Sequence, residues 1–573
     1  MKNWKLSDEA PEEFKKQFSD YHPLIIQLLY NRNIQSQSEV DLFFKPEYEK
    51  MHDPFLFKDM QKAVERIDKA IKNQEKILIH GDYDADGVTS SAVLFRTLKL
   101  LSADVEVFIP HREDDGYAIN IKNVKKFVDQ GINLLITVDC GITNVDEVVE
   151  LKKNDVDLII TDHHEPPVIL PKALALIDPK ILDCPYPFNE LAGAGISYKL
   201  CCALLDKSEF VNLIEFEKYG GVEGYKKWLL DIVAIGTVAD VSTLVGENRI
   251  IVKWGLLVLS QSIWPGLKSL FEQIKPRQFD SFTIGFQIAP RLNAAGRLNH
   301  AILAYELLVT DDKERADEVA TELQSNNSER QRIIEKAMTE ARAELEKNKE
   351  QNVIFAYNEN WLPGIVGLIA GRLADEYYRP TMIMTTSNGS VVGSGRSISG
   401  FNILKSIRQV DEYFSRYGGH AGACGFTLSS AEVRENFQNS FASKFQEELS
   451  QMDLVPSLPV EAEVSIANLD FSILEKLEQF APFGEGNERP LFLVKNLQIT
   501  AFDKIGKQQT HLRLVIKQDT PVLYKMLWFG KAKEWADKLK VGDKIDVVCE
   551  LGINEWNGSR EFEFKIKDLK LQE

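Results

Sequence analysis

The sequence predicts a multidomain α/β protein: a parallel-sheet domain, a long connecting helix, a second α/β domain and a C-terminal all-β barrel. Three observations carry the prediction. The chain has 573 residues, too many for one hydrophobic core. From about residue 61 short apolar runs alternate with amphipathic stretches, as in strands joined by helices within a parallel sheet. Beyond about residue 460, strands of alternating polarity follow one another with turn signals between them. With 44% hydrophobic and 27% charged residues the chain lies in the ordinary globular range, and no segment is biased enough to read as disordered.

Residues 1–60 read as a helical, Pro-punctuated lead-in without a constellation that points to chemistry. Its first residues lack the apolar stretch of a secretory signal, and no charge-free run is long enough to span a bilayer. A soluble cytoplasmic protein with no membrane association is therefore expected. The six cysteines show no CxxC spacing, so they are expected to be reduced and mostly buried.

Residues 61–310 form the expected first domain. Its strands are read at Lys76–Ile79, Val105–Ile109, Leu134–Val138 and Asp157–Thr161, and its helices over Thr89–Leu101 and Val145–Asn154. Helical periodicity dominates from about 190 to 310, as in Tyr225–Ala234. Residues 311–350 are dense in Glu, Lys and Arg, with apolar positions at Val319, Leu323, Ile333, Ile334, Met338, Ala341 and Leu345. That spacing predicts a long helix with a narrow apolar stripe, its charges read as a solvated connector and not as a binding patch. A second α/β domain over 351–455 opens at Val353–Tyr357, and Pro456–Pro459 marks a linker. The tail, 456–573, carries the barrel strands Thr510–Ile516, Val522–Trp528, Lys544–Cys549 and Glu561–Ile566, with a turn at Asn557-Gly558.

The chemistry concentrates in the first domain. His80, Asp82, Asp84 and Asp86 alternate after an apolar strand, so in an extended loop they share one side. Three carboxylates so close repel one another unless a cation sits among them. Asp and Gly are also common turn residues, and the plain alternative is a polar loop. Recurrence favours the cation. Leu134–Val138 ends in Asp139, and Leu158–Thr161 ends in Asp162, His163 and His164, which places all three sets along one edge of one sheet. Asp240 closes a largely apolar stretch, where an unpaired carboxylate is costly. A mixed carboxylate and imidazole set suits Mn2+ better than an all-oxygen Mg2+ cage does. Two divalent ions about 3.5–4 Å apart are the usual arrangement for in-line phosphoryl displacement. The net charge of −18 argues against a polyanionic partner, but acid gathered around divalent ions is largely neutralised by them.

These motifs resemble the DHH phosphoesterase superfamily, and within it the branch of bacterial single-strand-specific exonucleases. The resemblance rests on Asp82-Tyr83-Asp84-Ala85-Asp86-Gly87-Val88-Thr89, on Val138–Ile142, on the Asp162-His163-His164 triplet, on Ala239-Asp240, on Ala289–Arg297 and on Gly418–Gly422. It implies DHH and DHHA1 domains followed by an OB-like barrel, and a metal-dependent 5′–3′ exonuclease acting on single-stranded DNA in repair and recombination. It also implies that His80, Asp84 and Asp139 hold one ion and Asp86, Asp139, His163 and Asp240 a second, with Asp139 bridging. Asp82 belongs to the catalytic motif, as ligand or as support. His164 is implied to contact the scissile phosphate or to orient the ligands. A helicase of the RecQ type, single-strand-binding protein and a monomeric state complete what the resemblance implies.

Two stretches combine permissive glycines with a cation. Val391–Ser397 holds Ser394, Gly395, Arg396 and Ser397, and Tyr417–Gly422 holds Gly419 and His420. Such loops can cradle a phosphate, although ordinary turns have the same composition. The resemblance favours the phosphate, and adds Arg291, Asn293 and Arg297 as ligands. In the barrel, Tyr524, Trp528, Phe529, Lys531, Lys533, Trp556 and Arg560 are candidates for stacking and charge along a single strand, though aromatics in strands are more often core. Two other readings compete: a DHH phosphodiesterase acting on short oligonucleotides or cyclic dinucleotides, which the additional connector and barrel disfavour, and a non-enzymatic relative that keeps the fold without its ligands, which the complete ligand set here disfavours.

Overall fold

The computed structural model describes residues 2–112, 115, 116, 118–298, 300–346, 351–556 and 559–572, with the side chains of positions 556 and 559 left out. The Asn557-Gly558 turn, the Trp556 side chain and the last residues of the connector, 347–350, lie outside the described residues. The chain divides into two compact units, Tyr48–Leu454 and Met1–Glu47 with Val455–Glu573.

The first unit opens with five parallel strands in the spatial order Val105–Phe108, Ile77–His80, Leu134–Val138, Asp157–Thr161, Ala175–Ile177. Helices cover both faces, which is why the strands read as unbroken apolar runs. Ile77, Ile79, Leu134 and Ile136 enter one apolar layer, while Leu78, Leu135, Leu158 and Ile160 enter the other. The strand order is 2-1-3-4-5 in sequence numbering, so the chain winds first one way and then the other from Ile77–His80. The crevice at that switch point, between the carboxyl ends of Ile77–His80 and Leu134–Val138, is where open α/β sheets bind ligands. The long helices Ala85–Leu100, Gly193–Lys207 and Gly221–Ala239 pack on one another beside it.

The connector is one helix, Lys313–Leu345, capped by Asp312, whose carboxylate accepts from the Glu314 and Arg315 amides. Its buried positions include Ala316, Ala320, Leu323, Asn327, Ile334, Ala337 and Ala341, a stripe at three- and four-residue spacing. Next comes a five-stranded sheet in the order Phe414–His420, Ala423–Leu428, Ser390–Arg396, Thr381–Ser387, Ile354–Tyr357, flanked by helices Pro363–Tyr377 and Arg434–Gln451. The two glycine-rich stretches therefore lie mostly in strands, where turns were the plain reading. Gly395 is needed for packing: a β-carbon there would lie 2.6 Å from Cys424 Sγ.

In the other unit Leu491–Ile505, His511–Lys517, Tyr524–Trp528, Ser559–Leu571 and Lys544–Trp556 close into a five-stranded barrel through pairing of the first with the last. The lead-in read over residues 1–60 is divided: its part up to Glu47 belongs to this unit, while Tyr48, Phe57 and Met60 lie in the core of the first. Strand Asn3–Leu6 pairs with Ser457–Val460, Leu28 and Leu29 share a core with Leu512 and Val547, and Arg32 grips Glu461 through two bonds of 2.7 and 3.0 Å. Trp528 is barrel core against Trp535, whereas Phe529 is exposed. Lys531 pairs with Glu534, and Arg560 with Glu475. Among the described residues no helix is long and apolar enough to cross a membrane.

Candidate active site

Strand Ile77–His80 runs into a loop that ends at the N-cap of helix Ala85–Leu100. That cap is Asp84, whose Oδ1 accepts from the Asp86 amide at 2.9 Å and the Gly87 amide at 3.1 Å, leaving the other oxygen for a ligand. Asp86, in the first turn, is almost fully buried. Its oxygens accept from Gly193 N at 2.7 Å and Ala194 N at 2.9 Å, where the positive end of helix Gly193–Lys207 favours an anion. Asp139 leaves its strand at φ 60, in the left-handed region, and lies against the same helix start. A β-carbon at Gly193 would fall 2.6 Å from Asp139 Cβ, so only glycine allows this approach. Asp240 is the C-cap of helix Gly221–Ala239 and accepts from Ser242 Oγ at 2.5 Å.

Three groups of side chains bring ligand atoms within 4.8 Å of one another: Asp82, Asp84 and Asp139; Asp86, His163 and Asp240; and Asp139, His163 and His164. Asp139 and His163 are each common to two of them, and of the pair only the Asp139 carboxylate has two oxygens to offer to two ions. His163 Nε2 lies 3.1 Å from Asp139 Oδ1 and 3.9 Å from Asp86 Oδ2, and Nδ1 lies 4.0 Å from Asp240 Oδ2. Buried Nε2 makes no hydrogen bond despite the short approach to Asp139. His80 stands outside these triads, with Asp82 in its expected place beside Asp84 and Asp139. His80 is nonetheless fully buried, with Nδ1 3.8 Å from Cys140 Sγ and Nε2 without a partner.

The electrostatics test whether these residues fit cations. Burial, reinforced by the Asp84 charge, raises the Asp82 carboxyl to about 8. Burial also pushes Asp86 and Asp139 well above the usual carboxylate range, with further repulsion of Asp86 by Asp240 and of Asp139 by Asp86. Burial lowers His80 to about 4 and lowers His163, so both imidazoles are neutral donors of a lone pair. Asp82 Oδ1, His80 Nε2 and His163 Nε2 are buried without hydrogen-bond partners. Crowded acids, neutral imidazoles and orphaned acceptors together fit divalent cations, whose charge would reverse the carboxyl shifts.

Asp162 does a different job from its neighbours. It accepts from the Ile142, His163 and His164 amides at 2.9, 2.8 and 3.2 Å, and lies 2.7 Å from His164 Nδ1. Burial opposes charge on His164, but the Asp162 bond prevails and raises the imidazole to about 9. The same bond, acting against burial, holds Asp162 below its ordinary value. His164 is thus an imidazole oriented at the rim of the cluster, with its protonated form favoured by Asp162.

Beside the carboxylates lies a group of guanidinium ions. Arg297, lowered to about 10 by burial, feels the charges of Arg112, Arg330 and Arg396, and Arg330 feels Arg372 and Arg291. Arg297 donates to Gly364 O at 2.9 Å, and Arg291 donates to Gln324 Oε1 at 2.8 Å and to Gln287 O. Asn293 accepts from Ala85 N at 2.8 Å, bracing the catalytic loop. Arg396 lies along helix Pro363–Tyr377, where a β-carbon at Gly367 would come within 3.3 Å of its Nη2, and it donates to Ser394 Oγ at 3.3 Å. Ser397 Oγ turns inward to Phe401 O at 2.5 Å. Arg396, Ala423 and His420 form one cross-strand row, so Arg396 and His420 project from the same face about 10 Å apart. Gly419, at φ 141, crowds the Ala423 carbonyl and packs the hairpin.

Three residues escaped the sequence reading. Arg330 lies in the connector taken as solvated, yet it continues the buried stripe after Asn327, and its Nε is buried without a partner. Polar residues at seam positions of an otherwise apolar stripe were the available signal. Asp178 follows strand Ala175–Ile177 just as Asp139 and Asp162 follow theirs; it is buried, raised to about 7 by burial, and its Oδ2 has no partner. Arg112, stacked 4.7 Å over Tyr83, had no local signal.

Three family models match the chain in order. Residues 76–237 match the model of the DHH family, N-terminal domain, residues 350–447 the DHHA1 domain, and residues 460–568 the RecJ OB domain. The chain is 35% identical over 577 residues to the single-stranded-DNA-specific exonuclease RecJ of Bacillus subtilis (strain 168), covering 100% of this chain and 71% of the relative. To the Haemophilus influenzae protein of the same name it is 30% identical over 566 residues, covering 95% and 96%. The crystal structure of RecJ in complex with Mn2+ from Thermus thermophilus superposes with a TM-score of 0.83 at 27% identity, covering 100% of this chain and 80% of that one. The Mg2+ complex of the same protein gives 0.76 at 25%.

Proposed function

The chain belongs to the RecJ family of single-stranded-DNA-specific exonucleases, and from that premise we propose that it removes nucleotides from the 5′ ends of single-stranded DNA by metal-dependent hydrolysis. One observation carries the reading: three overlapping groups of carboxylates and imidazoles, linked through Asp139 and His163, lie beside guanidinium groups that repel one another. Phosphate is the ligand that relieves both, since its oxygens take divalent ions on one side and forked N–H donors on the other.

We assign Asp82, Asp84 and Asp139, with the unpartnered imidazole of His80 as a further ligand, to one Mn2+ or Mg2+, and Asp86, Asp139, His163 and Asp240 to the second. The ions supply Lewis-acid stabilisation and a more acidic water. The protein supplies the rest. The Gly193 and Ala194 amides fix Asp86, Ser242 fixes Asp240, and Asn293 fixes the loop that carries all three acids of the motif. His164, held protonated by Asp162, offers a charged donor to a phosphoryl oxygen as negative charge grows there. Arg297, Arg330 and Arg396 hold the terminal and neighbouring phosphates, with Ser394 beside Arg396 and His420 further along the same sheet face.

Acting on single strands, such an enzyme works in repair and recombination in the cytoplasm, as a monomer, on strands opened by a helicase of the RecQ type and covered by single-strand-binding protein. Digestion of 5′- and 3′-labelled single-stranded and duplex DNA with Mn2+ or Mg2+ tests the proposal. Release of 5′ label from the single strand alone is expected, and Asp139→Ala should reduce it to background. Faster hydrolysis of dinucleotides than of long strands would overturn the reading.

A further inference from the structure

We infer that Phe282 and Phe286 form a stacking platform for bases of the single strand that is being cut, a role that rests on the reading above. They are the two most exposed phenylalanines among the described residues, at 58% and 70%, and their rings stack at 4.7 Å with 23° between planes. Their exposure is built into the local backbone. Asp280 caps the segment by accepting from Thr283 N at 2.8 Å, and Ile284 and Ile288 anchor its inner face in the core of the unit. Between them the helix widens into a π turn, Ile284–Ile288, an irregularity that recurs at functional sites. The pair stands outward because the residues around it are held inward.

The position of the pair identifies its occupant. The π turn leads without a break into helix Ala289–Leu298, which carries Arg291, Asn293 and Arg297. Phe286 precedes Asn293 by seven residues, about 10 Å along a helix, and Asn293 holds the Ala85 amide of the metal-binding loop. The same turn lies on the last turn of the helix that ends at Asp240: a β-carbon at Gly285 would lie 3.8 Å from Val238 Cγ1. Beyond Asp240, Val241 is held at φ 63, an uncommon conformation for a β-branched residue, and is 64% exposed on the rim of the cluster. An exposed aromatic pair a few nucleotides from the carboxylates, on a rod whose far end is cationic, matches the recipe for single-strand binding: charge for the backbone and a ring for the bases. Stacking tolerates any base, so the platform adds affinity without sequence preference.

The test uses the full chain and a series of single strands with one abasic nucleotide moved stepwise from the 5′ end. The wild-type chain should show a window of positions at which the abasic nucleotide raises KM about tenfold or more. Phe282→Ala/Phe286→Ala should raise KM on normal strands by a similar factor, leave kcat within about twofold, and abolish the window; Phe286→Trp should restore it. Because both rings are exposed, the double variant should melt with the wild type, which separates lost stacking from lost folding. With calcium in place of the catalytic ion, 2-aminopurine within the window should be quenched by the wild type and not by the double variant. A flat abasic profile in an active wild-type chain, or an unchanged KM in the double variant, overturns the platform while leaving the nuclease reading intact. So does light scattering that shows a dimer which the double variant dissolves, since a second copy is then the occupant. A wild-type chain that cuts no single strand overturns the proposed function itself.

Discussion

Gly193→Ala places one methyl group against the bridging carboxylate, and the structure gives its size. The new β-carbon would lie 2.6 Å from Asp139 Cβ, 2.7 Å from Oδ1 and 2.8 Å from Cγ. Carbon atoms rest about 3.5 Å apart or more, so Asp139 or the helix start has to move by about 0.9 Å. Asp139 has little freedom to absorb this, because its backbone is held at φ 60 with its amide bonded to Thr161 O at 3.0 Å. A displacement near 1 Å of a catalytic group costs on the order of 100-fold in rate. The lesion should be local. Gly193 has no left-handed φ, its amide bond to Asp86 survives in alanine, and alanine in place of helical glycine favours the helix by about 0.5–1 kcal/mol. The expected outcome is a kcat/KM about 100-fold lower on a 5′-labelled single strand, weaker Mn2+ binding by titration calorimetry, and a melting temperature within a few degrees of wild type. Gly552→Ala, where a β-carbon would meet only ordinary contacts at 3.8 and 3.9 Å, is the control and should be silent. A Gly193→Ala chain with wild-type activity and Mn2+ affinity would refute the placement of Asp139 against the helix start, and with it the assignment of the bridging ligand.

Asp162→Asn removes the charge behind His164 while keeping an acceptor for the backbone amides; activity should fall about 10- to 100-fold with Mn2+ affinity nearly unchanged, and equal losses in both would make Asp162 a ligand instead. Arg330→Ala should raise KM about tenfold and flatten the dependence of log affinity on log salt by about 0.7, the share of one phosphate contact on a single strand; an unaltered salt slope would return the connector to a purely structural role. Asp231, buried and raised to about 7 chiefly by burial, gives a stability prediction away from the site. Its folded carboxyl keeps a proton that the unfolded chain releases near 3.8, so it costs stability increasingly from about pH 4 to pH 7, with a ceiling on the order of 4 kcal/mol. In Asp231→Asn, the melting temperature relative to wild type should therefore rise across that interval, and a constant difference would show that Asp231 does not titrate there.

The parts of this protein that were legible in the sequence are those set by short-range periodicity. Ile77–His80, Leu134–Val138 and Asp157–Thr161 read as buried strands because parallel strands covered on both faces need apolar residues at every position. The ligands follow them because strand ends open onto the switch-point crevice, and the same rule reaches Asp178 once applied to Ala175–Ile177. The barrel strands were visible through their alternation, and the connector through its stripe. What the tertiary structure alone decided depends on residues far apart in the chain. The Gly193 and Ala194 amides meet Asp86 across 107 and 108 positions, and Asn293 meets Ala85 across 208. Arg330 looked like one charge among many until its helix was laid against Arg291 and Arg297. The lead-in showed no purpose until Asn3–Leu6 was seen paired with Ser457–Val460. Local pattern records which face of an element is buried, but not what lies across from it. The aspartates and histidines could therefore be named from the sequence, and their division between two ions from the resemblance, while the helix start at Gly193 and the added arginines Arg112 and Arg330 required the fold.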